Sequence, residues 1–211
     1  MNLLLEDERN PVSAYVHGGA GDSDPCLHLA ASTRRPNVIR LLLGKGASVD
    51  ILNDRNEVAL HHAAREGCHE SAQLLLRAGA YPNTPGYHLR TPLHIAARCG
   101  RLEVIRLLDV HRAIIDLRDD LGWTPLFSAV WNGQKDAVEL LIELGADVQA
   151  RADDATTMLD AVGKDPSLSE DRDRDEQIYS ALLQSGLMEE TGKVPKYHSS
   201  EVVRSSDCAD D

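Results

Sequence analysis

A step of 33 residues from His28 lands on His61, then His94, then Phe127, then Asp160, each time inside a similar neighbourhood. The strings Leu27-His28-Leu29-Ala30-Ala31, Leu60-His61-His62-Ala63-Ala64, Leu93-His94-Ile95-Ala96-Ala97 and Leu126-Phe127-Ser128-Ala129-Val130 stand in register. So do Leu41–Leu43, Leu74–Leu76, Leu107-Leu108 and Leu140–Ile142. A third set consists of Gly46-Ala47-Ser48-Val49-Asp50, Gly79-Ala80-Tyr81-Pro82-Asn83 and Gly145-Ala146-Asp147-Val148-Gln149. A unit this short cannot bury its apolar face alone, so a period of this length restricts the chain to a stacked array in which each unit is covered by its neighbours.

Within a unit the signals are helical. In the third, Thr91 can cap a helix and Pro92 suits its first turn, where the missing N–H would have been unpaired anyway. That helix runs to about Cys99; Gly100 reverses the chain, and a second helix, about Leu102 to Val110, carries Val104, Leu107 and Leu108 at helical spacing. Thr124, Pro125, Gly133 and Val138–Ile142 repeat the pattern in the fourth. Between units run short extended segments such as Asp116–Trp123, where Asp119 and Gly122 frame a turn.

With Thr91-Pro92-Leu93-His94 and the 33-residue spacing, residues 20–187 resemble the ankyrin repeat family. The resemblance implies an all-α solenoid of helix-turn-helix units with β-hairpin-like finger loops. Four repeats are expected, followed by a modified C-terminal capping repeat with an insertion at 163–174 and a last helix at about Asp175–Leu183. It further implies that fingers and first helices line a concave binding face, that second helices make the convex back, and that the repeated histidines are structural hydrogen-bonding residues.

Ser13–His17 stand 33 residues before Gly46–Asp50, so residues 1–19 are expected to be a degenerate or truncated half-repeat. This motivates the alternative that the chain is a fragment or isoform of a larger ankyrin-containing regulator. Residues 188–211 are polar, acidic and aperiodic, and are expected to be a disordered tail.

Charge and cysteine usage narrow the function. A net charge of −12 with no basic cluster argues against nucleic acid, whose backbone is bound by clustered Lys and Arg. The four cysteines lack paired spacing, which fits reduced thiols in a cytoplasmic or nuclear protein. No apolar run approaches the length of a membrane span, and the array is expected to be monomeric.

Neither catalysis nor a cofactor is expected. There is no phosphate loop, nucleophile elbow or paired-Cys metal pattern, and adjacent His61 and His62 on a helix point about 100° apart, which disfavours a shared metal ion. Cys99 could be a reactive thiol but reads more simply as a bystander, and Ser167 and Ser169 more simply as solvated than as phosphorylated.

The resemblance also marks positions that vary while the frame is kept: Asp54, Arg55, Glu57, Arg65 and Glu66; Tyr87, His88, Arg90, Arg98 and Cys99; Asp120, Leu121, Trp123, Trp131 and Asn132; Asp153, Asp154 and Thr156. Trp, Tyr and Arg dominate binding hot spots. The expected partner-binding residues are therefore Tyr87, His88, Arg90, Arg98, Asp120, Leu121, Trp123, Trp131 and Asn132. They form a mixed aromatic and cationic patch suited to a protein segment with apolar anchors and some acidic residues.

Overall fold

The computed structural model describes residues 25–163 and 172–186. The expected half-repeat at 1–19, most of the expected insertion and the tail at 188–211 lie outside the described residues. Within them the chain forms five helix pairs: α1 (Cys26–Ser32) with α2 (Pro36–Gly44), α3 (Ala59–Glu66) with α4 (His69–Arg77), α5 (Pro92–Arg98) with α6 (Leu102–Val110), α7 (Pro125–Trp131) with α8 (Lys135–Glu143), and α9 (Met158–Ala161) with α10 (Arg172–Gln184). The odd-numbered helices pack on one another in one row and the even-numbered ones in a second. The result is a two-layer stack, an all-α solenoid.

Its core is a set of ladders with the sequence period. Leu27, Leu60, Leu93 and Leu126 are buried in the inner row; Ile39, Ala72, Ile105 and Val138, with Leu75, Leu108 and Leu141, are buried in the outer row. A fully buried Leu or Ile contributes about 1.5–3 kcal/mol. Pairs of small residues, Ala30-Ala31, Ala63-Ala64 and Ala96-Ala97, let successive inner helices approach closely and are almost solvent-free.

The inner helices start as their residues dictate. Thr124 Oγ1 accepts the Phe127 N–H at 3.2 Å, and Thr157 Oγ1 accepts that of Asp160 at 3.2 Å. Pro92 and Pro125 occupy first-turn positions. One boundary differs from expectation. The last helix begins at Arg172 rather than Asp175, so the end of the expected 163–174 insertion is helical. Asp173 and Asp175 in the first turn favour this, because carboxylates interact well with a helix N-terminus.

The fingers have a hairpin-like closure without a strand ladder. Each closes on a backbone N–H to carbonyl bond four residues apart: Asn53 to Glu57 at 3.0 Å, Gly86 to Arg90 at 2.8 Å, Asp119 to Trp123 at 2.9 Å and Ala152 to Thr156 at 3.1 Å. Adjacent fingers are also tied, with Asp120 N–H donating to His88 O at 3.2 Å and Asp153 N–H to Leu121 O at 3.0 Å.

Candidate functional site

The recurring histidines bolt one unit to the next. His28 Nε2 donates to Glu57 O at 2.8 Å, His61 Nε2 to Arg90 O at 3.0 Å, and His94 Nε2 to Trp123 O at 3.0 Å. For His61 and His94 the opposite nitrogen accepts a local N–H, from Val58 and Thr91 respectively, each at 3.1 Å. Donation on one side and acceptance on the other require a neutral ring protonated at Nε2. Burial strips water from His61 and His94 and pushes both below the ordinary imidazole range, against the raising influence of their carbonyl partners and nearby acids. Each rung ends on the residue that closes the next finger, so the histidines fix where the fingers stand.

In two of the fingers a single side chain clasps the loop. Asn53 Oδ1 accepts the Arg55 and Glu57 N–H groups at 2.9 and 3.0 Å, and Asp119 Oδ1 accepts those of Leu121 and Trp123 at 2.9 Å each. In the third unit this position is Gly86. A Cβ there would stand 2.8 Å from His61 Nε2, so the position is closed to any side chain unless the rung below shifts. The third finger has no such clasp and forms a tight turn, Tyr87–Leu89; Leu89 takes the left-handed angle found at its register in every finger, and His88, at φ 59°, is a second left-handed residue peculiar to this one. It projects Tyr87, His88 and Leu89 into solvent; His88 Nδ1 meets Asp120 Oδ2 of the next finger at 2.5 Å.

Behind the fingers, two positions of each unit face each other, and comparing units reveals the site. In the second unit the pair is Glu57 and Arg65, joined at 2.7 Å. Burial alone would raise the Glu57 carboxyl, but the Arg65 guanidinium, with His61 and His62 nearby, holds it below its ordinary range. In the fourth unit the pair is Trp123 and Trp131, with ring centroids 4.9 Å apart and Trp123 also 4.9 Å from Phe127. The third unit has two cations, Arg90 and Arg98. Arg90 reaches forward to the solvent-free carboxylate of Asp119 at 3.1 Å, leaving Arg98 exposed and, among the described residues, with no acidic partner.

Arg98 opens onto a groove of about 320 Å³ lined by Arg55, Glu57, Arg65, Tyr87, His88, Arg90, Ile95, Arg98 and Leu121. Arg55, at the tip of the second finger, is likewise exposed and, among the described residues, without an acidic partner. Tyr87 and Leu121 border the groove and keep 56% and 47% of their surface exposed.

Five of the nine residues singled out from sequence, Tyr87, His88, Arg90, Arg98 and Leu121, thus line one groove. Asp120 is attached to it through His88. Trp123, Trp131 and Asn132 lie beyond it: the half-buried indoles pack on each other, and Asn132 Nδ2 donates to Ser128 O at 2.8 Å. Sequence reasoning did not single out Leu89 or Ile95, and gave no role to Gly86. The departure from Asn53 and Asp119 at the Gly86 register is the signal that could have drawn attention to this finger.

The family model described as ankyrin repeats (3 copies) matches residues 2–86 and 85–152. The chain belongs to the ankyrin-repeat family. Relatives include the probable 26S proteasome regulatory subunit p28 of Saccharomyces cerevisiae, 32% identical across 56% of this chain and 53% of that protein. NF-kappa-B inhibitor alpha of Sus scrofa is 34% identical over 62% of this chain and 45% of its own length. The probable E3 ubiquitin-protein ligase XBOS32 of Oryza sativa subsp. japonica is 29% identical over 74% of this chain and 38% of its own. The ankyrin array therefore spans about half, or less, of the curated relatives it matches. Among the described residues no helix is long and apolar enough to cross a membrane.

Proposed function

We propose that this chain is a non-enzymatic interaction module that holds a partner protein against its concave face, the surface of fingers and inner helices, centred on the groove of the third unit. The observation that carries the reading is local. The units on either side satisfy their facing pair internally, by an ion pair in one and an aromatic stack in the other, whereas the third leaves Arg98 unmatched beside exposed Tyr87 and Leu121. Exposed aromatic, Arg and aliphatic groups around a concavity are the composition of binding anchors. Trp123 and Trp131 then serve as a firm shoulder to the site. Among the relatives, the names "regulatory subunit" and "inhibitor" support a role exerted through another protein, as an adaptor or regulator in the cytoplasm or nucleus. A second reading, in which the array is one part of a larger regulator, is favoured by the fraction of each relative that it spans.

The test is affinity capture with the wild type, with Tyr87→Ala/Leu121→Ser, and with Glu139→Ala on outer helix α8, followed by quantitative mass spectrometry. Proteins held by the wild type and the α8 variant should be lost from the groove variant. Loss on the α8 variant alone, with full retention by the folded groove variant, would overturn the assignment.

A further inference from the structure

We propose that the occupant of this groove is an acidic peptide segment: two carboxylates seated on the guanidiniums of Arg98 and Arg55, and an adjacent apolar side chain resting on Tyr87 and Leu121. The proposal rests on the interaction reading above and specifies its ligand.

Charge matching decides the sign. Arg65 is already neutralised by Glu57 at 2.7 Å, and Arg90 by Asp119 at 3.1 Å. His88 is engaged with Asp120. Two positive charges remain in the groove, on Arg55 and Arg98, in a chain whose net charge is −12. Their isolation in an acidic protein makes the groove a local exception to the surrounding field, which attracts an anionic segment to that spot and orients it there. A guanidinium is weakly hydrated and presents a planar fork that matches a carboxylate. Covering these cations with a neutral or basic segment would remove their water and return nothing, a cost that grows as the groove closes.

Geometry supplies the rest of the description. Arg55 projects from a finger and Arg98 from the end of inner helix α5, so the cations sit on the two walls of the groove and call for two acidic side chains. The bordering Tyr87 and Leu121 offer apolar surface to a residue next to them. The groove is already braced: His61 holds the backbone of Arg90 from below, and Asp119 holds its side chain. Little ordering of the protein is then required on binding.

The experiment is selection of a random displayed peptide library on the full chain, followed by fluorescence-polarisation titration of the selected peptides, synthesised and labelled. Paired Asp or Glu next to Leu, Ile or an aromatic residue should be enriched. Affinity should fall steadily with added salt. Arg98→Glu should weaken binding at least about tenfold, and a Lys-for-Asp version of the peptide should regain affinity for that variant. Arg98→Gln provides a milder change should charge reversal disturb folding, and Arg106→Glu on the outer surface of α6 should leave affinity within about twofold. Neutral or basic selected peptides, or acidic ones indifferent to both Arg98 variants, would overturn the proposal. Neutral peptides that are lost on Tyr87→Ala/Leu121→Ser would leave the interaction reading standing while the acidic ligand falls. Peptides indifferent to every change in the groove would sink both.

Discussion

The buried histidine rungs that tie each inner helix to the next finger and the groove directly above them share one 33-residue register but use it in opposite ways. Below, His28, His61 and His94 sit in equivalent places and make equivalent bonds to the next unit. Above, the equivalent pairs are Glu57 and Arg65, Arg90 and Arg98, and Trp123 and Trp131, an ion pair, two like charges and an aromatic stack. The two layers answer to different physical demands. A side chain that has to reach a carbonyl in the next unit is constrained by distance and by the absence of water, so its chemistry repeats. A side chain at the rim of the stack, from buried Glu57 to exposed Arg98, has no fixed partner to reach and is constrained mainly in position. The third unit shows the two layers meeting: in the geometry of its finger, a Cβ at residue 86 would press on the histidine below, and the turn above carries an additional left-handed residue, His88.

If the frame is a stack of mutually covering units, its end should be its most consequential part. Ile178 and Leu182 of α10 are fully buried against the outer row. Deleting residues 164–211 should therefore lower stability by on the order of 5 kcal/mol, the burial of two large aliphatic side chains and of the surface they cover. Denaturant unfolding of the two chains measures it. Equal midpoints would mean that α10 does not cap the stack.

A single rung should count for less. His94→Ala removes the partner of the Trp123 carbonyl and of the Thr91 N–H, and should cost about 1–3 kcal/mol. The same rungs predict a pH dependence. The folded-state pKa values of His61 and His94 lie below that of an unfolded imidazole, about 6.5. Between the two values the unfolded chain binds protons that the folded chain does not, so stability is fully present above about 6.5 and is lost as pH falls below it. Thermal melts between pH 7.5 and 5.5 should show the decline, and His94→Ala should flatten it. A decline of equal steepness in the variant would break the assignment. At lower pH the loss should deepen as Glu57, held below its ordinary range, takes up a proton and releases Arg65.

Most of the frame was legible because burial repeats its demands. The 33-residue landing points, Thr-Pro starts and leucine runs located the helix pairs, and the histidines were correctly expected to be structural. The site was legible only in part. Arg90 and Arg98 could be placed by register, but that Asp119 claims the first and leaves the second is a tertiary fact, set by which of two nearby acids points inward. The tryptophans stood out by rarity and type; that they spend surface on each other and on Phe127 follows from a packing distance that no spacing encodes. Leu89 was missed because an aliphatic residue in a loop carries no local signal until its backbone angle is known.

That angle yields the smallest and most discriminating test of the comparison. Leu89 sits at φ 56°, in register with Asn56, Gly122 and Ala155, which are also left-handed. An L-residue with a Cβ loses roughly 1–2 kcal/mol in this region, and a branched side chain that is 56% exposed recovers little of it by burial. Glycine removes the steric cost but adds freedom to the unfolded chain, so Leu89→Gly should raise stability by about 1 kcal/mol at most. If the third finger is shaped for binding, the same change should weaken groove peptides severalfold, since it removes an apolar group and loosens the turn carrying Tyr87. Unfolding and binding of one variant then move in opposite directions, which a purely structural finger would not do. A stabilised Leu89→Gly chain that binds its peptides unchanged would place Leu89 outside the interaction surface and confine that surface to Tyr87, Leu121 and the arginines.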